Sequence, residues 1–266
     1  MDYYSVIGNP IQQSLSPQIH RLFAEQTHQV LTYTAIQVES GQLAATLGDL
    51  QSRQWRGLNI TAPLKELAYP LADSLSPRAT LAKAINTIHF QPDGTRFGDN
   101  TDGVGLIRDI TLNQNVSLKN KAILVLGAGG AVRGVLPAIL AEDPSQVVIA
   151  NRTPEKAEQL ASEFPSIKAI AWSALTTQSF DIVINGTSPA TDFALPPKLL
   201  NSGAYCYDMV YGGDLTPFLR WARAQGCELY SDGLGMLVEQ AAESFYIWRQ
   251  IRPDTRPVLA FLRQIR

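Results

Sequence analysis

Three polar clusters and one glycine turn hold the residue types that could do chemistry in this chain. The clusters are Ser14-Leu15-Ser16-Pro17, Asn59-Ile60-Thr61-Ala62-Pro63-Leu64-Lys65 and Gly98-Asp99-Asn100-Thr101-Asp102-Gly103. Lys65 is the hardest to explain structurally. If a helix opens near Pro63, the ammonium lies in its first turn, against the positive end of the helix dipole, where a cation gains no stability. An ammonium there, held by an aspartate nearby in space, suits a group that gives and takes a proton. Extension of the long side chain into water is the structural alternative. Ser16 ahead of Pro17, Thr61 ahead of the helix near Pro63, and Asp102 ahead of Leu106, Ile107 and Ile110 each also fit a helix cap. In open α/β sheets, however, the C-terminal ends of strands line the ligand crevice, so clusters at those ends can converge on one substrate.

The glycine turn is Gly127-Ala128-Gly129-Gly130-Ala131, between a buried-looking strand over residues 121–126 and a helix. Glycine lets the backbone approach a pyrophosphate, and free amides at the helix start face its charge. Gly127 and Gly129 match the first two glycines of the dinucleotide fingerprint; Val132 fills the third slot, where Gly or Ala is expected. A tight turn with no ligand is the alternative. At the end of the next strand NAD enzymes place Asp or Glu on the free ribose 2′-hydroxyl, but this chain has Asn151-Arg152-Thr153. Arg152, with Lys156 four residues on, would neutralise a 2′-phosphate while Thr153 donates a hydroxyl bond, which favours NADP over NAD. Two solvated charges at a helix start would instead sit against the dipole for no gain.

Short β-branched runs alternate with helical patterns throughout, which predicts an α/β protein with parallel sheets. Strands are expected over residues 3–7, 31–38, 58–61 and 84–90, the last before the turn Gln91-Pro92-Asp93-Gly94. The polar stretch 113–115 precedes a second domain with strands over 121–126, 147–150, 182–184, 204–207 and 228–230. A long amphipathic helix through Leu237, Ala241, Phe245 and Trp248 is expected to return to the first domain. At 266 residues, one large domain or two of moderate size is anticipated. Lys plus Arg number 22 and Asp plus Glu 24, a net charge of −2 that offers no field for a polyanion, so nucleic acid is excluded as a partner. The most apolar stretch, 122–140, is broken by glycines, Arg133 and Pro137, and reads as no membrane span. Met1-Asp2-Tyr3-Tyr4 lacks the start of a secretory signal, and Cys206 and Cys227 show no metal-ligand spacing. A protein of the reducing cytoplasm is expected. Both cysteines read as interior residues, and His20, His28 and His89, outside every cluster, as surface or packing residues.

Taken together, these residues closely resemble the shikimate dehydrogenase family, nearly end to end. The resemblance rests on the clusters above, on Gly8-Asn9-Pro10, Asn86-Thr87 and Asn151-Arg152-Thr153, and on Tyr205-Cys206-Tyr207-Asp208-Met209 and Asp232-Gly233-Leu234-Gly235-Met236-Leu237. It implies reversible reduction of 3-dehydroshikimate to shikimate by NADPH, on the path to chorismate and the aromatic amino acids. It implies an α/β substrate domain (residues 1–102), a Rossmann-type NADP domain (103–235) and C-terminal helices (236–266) that return to the first, with an interdomain cleft. By the same resemblance Lys65 and Asp102 are the acid-base pair. Ser14, Ser16 and Tyr211 hold the substrate carboxylate, and Asn59, Thr61, Asn86, Asp102 and Gln240 bind ring hydroxyls or orient Lys65. The cofactor meets Gly127, Ala128, Gly129, Gly130, Ala131, Asn151, Arg152, Thr153 and Lys156, with Thr187, Met209 and Gly233 on the nicotinamide side. No metal is implied, and monomer and homodimer both occur among similar enzymes. The chain departs from the family at Ala62 and Leu64, where Val and Phe are common, at Gly186, where Ala is usual, and at Lys156, where an Arg often clamps the 2′-phosphate. Two rivals remain: an NAD-using quinate/shikimate dehydrogenase, against which Arg152 stands, and a noncatalytic dinucleotide-binding regulator, which Lys65 with Asp102 does not support.

Overall fold

The computed structural model describes residues 1–187, 195–196, 198–212 and 215–265. The chain divides into two compact units, one of Met1–Gly105 with Leu237–Ile265, the other beginning at Leu106 and ending at Met236. In the first, β1 (Asp2–Gly8), α1 (Ser16–Gln26), β2 (Leu31–Gln37), α2 (Leu43–Ser52), β3 (Gly57–Ile60) and α3 (Lys65–Ala68) follow in order. Next come β4 (Ser74–Leu75), α4 (Pro77–Ala82), β5 (Thr87–Phe90), β6 (Arg96–Asp99) and α5 (Asp102–Arg108). The sheet order is β2-β1-β3-β5-β6-β4. Here the expectation of parallel pairing needs correction: β1 pairs parallel with β2 and β3, but β5 runs antiparallel to both β3 and β6. The cause is the Pro92-Asp93-Gly94 turn, which has Gly94 at φ 86° and folds β5 back on β6 as a hairpin. Residues 84–86, expected as strand, precede β5.

The second unit continues α5 through a π-helical turn at Asp109–Asn113 into β7 (Ala122–Leu126), α6 (Gly130–Ala141), β8 (Gln146–Asn151) and α7 (Pro154–Glu163). β9 (Ile167–Ala171), β10 (Phe180–Asn185), β11 (Leu200–Asp208), α8 (Pro217–Ala224) and β12 (Leu229–Ser231) complete it. Every pair in its sheet is parallel, in the order β12-β11-β10-β7-β8-β9. Counted from β7, that is 6-5-4-1-2-3, the doubly wound dinucleotide-binding order with its switch point between β7 and β10. Both faces are covered, as an all-parallel sheet requires. Ile123 and Val125 of β7 pack on one side with Val132, Val135 and Ile139 of α6, and Leu124 and Leu126 on the other with Val183, Phe218 and Leu219.

Two helices close the chain, α9 (Leu234–Arg249) and α10 (Thr255–Gln264). Within the first unit Trp248 of α9 donates its indole N–H to the Ile88 carbonyl at 2.9 Å and stacks on Tyr4 at 4.7 Å. Gly57 makes this docking possible, since a Cβ there would lie 2.4 Å from the Trp248 indole nitrogen. Among the described residues no helix is long and apolar enough to cross a membrane.

Candidate active site

In the first unit the cluster running from Asn59 to Lys65 and the one running from Gly98 to Gly103 meet beyond β3 and β6. β3 ends at Ile60, and the Thr61-Ala62-Pro63-Leu64 turn is pinned by the Thr61 N–H on the Ile7 carbonyl and the Leu64 N–H on the Thr61 carbonyl, both 2.9 Å. Lys65 then opens α3, and its carbonyl accepts the Ile85 N–H at 3.0 Å. Its Nζ donates to Asp102 Oδ2 at 2.6 Å, with the lysine side chain 17% and the aspartate 5% exposed. Asp102 is fixed at three atoms. Its Oδ1 accepts from Asn86 Nδ2 at 2.8 Å, and its N–H donates to Asn100 Oδ1 at 3.1 Å. One of the three Nζ donors is thus taken, and the other two have no acceptor among the described residues.

Asn86 is the hub. Its Nδ2 also reaches Thr101 Oγ1 at 2.8 Å and Gln240 Oε1 at 3.2 Å, while its Oδ1 accepts the Thr101 N–H at 2.8 Å and the Thr87 hydroxyl at 2.9 Å. Asn59 is buried beside it. Tyr33 donates its hydroxyl to Asn59 Oδ1 at 2.7 Å, and Asn59 Nδ2 donates to the Asn86 carbonyl, Thr87 Oγ1 and Ser244 Oγ. Gln240 and Ser244, four residues apart, lie on one face of α9. The structure therefore brings together Asn59 of β3, Lys65 of α3, Asn86 just ahead of β5, Asp102 of α5 and Gln240 of α9. Tyr33 and Ser244 are members that sequence reasoning missed, while Thr87 and Thr101 stood within the quoted motifs without a role; for Ser244 the available signal was a hydroxyl among the apolar Ala241, Phe245 and Trp248.

Capping does not explain Ser16 or Thr61. Ser16 is the first residue of α1, Leu15 precedes it without a side-chain cap, and the Ser16 N–H instead donates to Ser14 Oγ at 3.3 Å. No side chain caps α3 either. Ser14 and Ser16 thus sit together at the start of α1. The close approach of β1 to the Thr61 turn depends on Gly8, where a Cβ would fall 2.3 Å from the Thr61 methyl. His20, one turn into α1, is buried with its ring stacked on Tyr33 at 4.1 Å, a packing role as anticipated. Tyr211 lies in the second unit, after β11, half-buried.

In the second unit the turn after β7 has Gly127 at φ 104°, a conformation that favours glycine, with its N–H on the Ala150 carbonyl at 2.8 Å. Gly129 precedes α6, and a Cβ there would meet nothing within 4 Å, so the backbone amides of the first turn can be approached closely. These features fit a pyrophosphate. Val132, buried in the third slot, packs where its Cγ2 would lie 2.4 Å from a Cβ on Gly186. The two departures are therefore one: the room normally left by a small residue on the helix is supplied by Gly186 at the end of β10.

At the end of β8, Asn151 donates to the Thr153 carbonyl at 2.8 Å and α7 begins. Arg152, Thr153 and Lys156 are on the surface, and neither cation pairs with a carboxylate among the described residues. On the other side of the switch point, Asn185 Oδ1 accepts both the N–H and the hydroxyl of Thr187, at 3.1 and 2.7 Å. Met209 donates its N–H to the Asn185 carbonyl, and a Cβ on Gly233 would come within 2.3 Å of the Met209 carbonyl. Thr187, Met209 and Gly233 thus form one cluster beyond the ends of β10 and β11. Asp208 beneath it accepts from Asn185 Nδ2 and the Val210 N–H; burial pushes its carboxyl above the usual range.

Fold and sites define an α/β protein that pairs a parallel-sheet dinucleotide-binding unit with a second unit holding a largely shielded lysine–aspartate pair. Three family models match in sequence order: the shikimate dehydrogenase substrate binding domain over residues 6–88, shikimate / quinate 5-dehydrogenase over 110–199, and the shikimate 5'-dehydrogenase C-terminal domain over 233–262. The chain is 52% identical to the shikimate dehydrogenase (NADP(+)) of Alkalilimnicola ehrlichii, covering 98% of each, and 52% identical to that of Cellvibrio japonicus, covering 99% of this chain and 97% of the relative. The structure of shikimate 5-dehydrogenase from Thermus thermophilus in complex with NADP(H) and shikimate matches with a TM-score of 0.89 at 33% identity, over 99% of both chains. The chain belongs to the shikimate dehydrogenase family.

Proposed function

We propose that this protein catalyses the reversible, NADPH-dependent reduction of 3-dehydroshikimate to shikimate in aromatic amino acid biosynthesis. The observation that carries the reading is the Lys65–Asp102 pair at 2.6 Å, largely shielded from water and braced by Asn86. NADPH, when bound, supplies the hydride. As negative charge grows on the ketone oxygen, Lys65 delivers the proton, while Asp102 holds the ammonium in place and takes part of its charge. Shikimate oxidation reverses these roles, with Lys65 accepting the hydroxyl proton.

Ser14 and Ser16 present hydroxyls for the substrate carboxylate, and Asn59, Thr61, Asn86 and Gln240 set the positions of the ring hydroxyls and of Lys65. The amides of Gly127, Ala128, Gly129, Gly130 and Ala131 would hold the pyrophosphate, Asn151, Arg152, Thr153 and Lys156 the phosphorylated ribose, and Thr187, Met209 and Gly233 the nicotinamide. Substrate chemistry thus belongs to residues 1–102 with 236–266, and cofactor binding to 103–235. A cytoplasmic location accords with two free, buried thiols, and the working form is a monomer or homodimer. The deciding experiment follows nicotinamide reduction by absorbance with shikimate or quinate, each with NADP or NAD. Rapid reduction with shikimate and NADP supports the reading; preference for quinate with NAD, or silence in all four, rejects it.

A further inference from the structure

A second charged network stands behind Asp102. Asp99, the last residue of β6 and buried, receives a bidentate clasp from Arg78, Nε to Oδ1 and Nη2 to Oδ2, both at 2.7 Å. Its Oδ1 also accepts the Ser76 hydroxyl and the Asn100 N–H. Asn100, also buried, donates to the Ala84 carbonyl at 3.0 Å and accepts the Asp102 N–H. Arg78 has a second arm. Its Nη2 donates to Glu243 Oε1 on α9 at 3.0 Å, and Glu243 also binds Arg252. Glu243 is next to Ser244 and three residues past Gln240, so one guanidinium ties the backbone that presents Asp102 to the helix that presents Gln240 and Ser244. Like Lys65, Arg78 lies in the first turn of a helix, α4, where a cation opposes the dipole. A planar fork satisfying two carboxylates at fixed angles is what arginine provides and lysine does not.

We propose that Arg78 is a positioning residue for the reaction, fixing the Lys65–Asp102 pair through Asp99 and holding Gln240 through Glu243. The inference rests on the proposed activity. It is tested with Arg78→Lys, which keeps the charge and loses the fork. In shikimate oxidation kcat should fall about 10- to 100-fold, the cost of misplacing reacting groups by about 1 Å. The KM for NADP should stay close to the parent's while kcat falls at a temperature where the variant is fully folded, a split that a merely structural role would not produce. On an Asp102→Asn background the substitution should lower kcat by much less than in the parent, since one of the two geometries it sets has already lost its function. Parental kcat in Arg78→Lys, or losses that multiply in the double variant, would overturn the proposal. If Arg78→Lys does not fold, Glu243→Gln weakens the second arm, together with the Arg252 pair, and leaves the Asp99 clasp; a smaller drop in kcat is then expected, and an unchanged kcat overturns the proposal equally. An inactive parent chain removes the activity on which all this rests, whereas an active parent with unaffected variants removes this inference only.

Discussion

Lys65→Ala should remove the proton donor without touching the glycine turn. The expected loss in kcat is about 10²- to 10⁴-fold with NADP binding unchanged, and near-normal turnover of a folded variant would dismiss the role. Arg152→Asp should weaken NADP far more than NAD, because only the former carries the phosphate that the guanidinium would face; comparing the two KM values reads this directly, and equal effects would remove the account of cofactor choice. Both residues stood out in the sequence because a cation near the start of a helix opposes the dipole and calls for another explanation; in the structure Lys65 is the first residue of α3, whereas Arg152 precedes the N-cap Thr153 and lies just outside α7. Arg78 carries the same mark and went unnoticed because its partners, Asp99 and Glu243, are 21 and 165 residues away. The roles of Thr87, Thr101 and Ser244 were illegible for a different reason. Small hydroxyls are common everywhere, and only the folded geometry around Asn86 and Asn59 distinguishes these.

At the level of elements, the strand, glycine turn and helix from β7 to α6 show how a broken motif can be repaired elsewhere. Val132 fits only because Gly186 has no side chain, so Gly186→Ala should overpack the β10–α6 contact and destabilise the fold by about 1–3 kcal/mol. Val132→Ala added to Gly186→Ala should restore much of that loss in denaturant melts; purely additive losses would refute the coupling. The sequence showed Val132 and Gly186 as two unrelated departures, since nothing in linear order says that they touch. The long apolar strands β7, β8, β10 and β11 were legible because both of their faces are buried. The two-residue β4, the four-residue β6 and the half-exposed β9 were not, because each is too short or too weakly patterned to stand out from turn sequence. Missing β6 hid the hairpin, and with it the antiparallel half of the first sheet.

For the molecule as a whole, acid should act through His20. Burial among aromatic rings holds its imidazole down at about pKa 3, whereas in the unfolded chain it protonates near pH 6.5. Between these values the unfolded state binds the extra proton, so the stability His20 confers is complete above about pH 6.5 and declines as the pH falls toward 3. Urea unfolding of the parent and of His20→Phe at pH 7 and pH 4 measures this: the parent should lose more stability than the variant, and equal losses would exclude the histidine as the source. The division of the chain into Met1–Gly105 with Leu237–Ile265 on one side and Leu106–Met236 on the other bears on synthesis as well. During translation the first sheet leaves the ribosome more than a hundred residues ahead of α9. Until then Asn59 and Asn86 lack Ser244 and Gln240, Glu243 has not reached Arg78, and the Ile88 carbonyl has no indole to receive. The nascent first unit must wait, incompletely packed, while the second can form in a single uninterrupted pass, so chaperone demand should fall chiefly on the segment that emerges earliest.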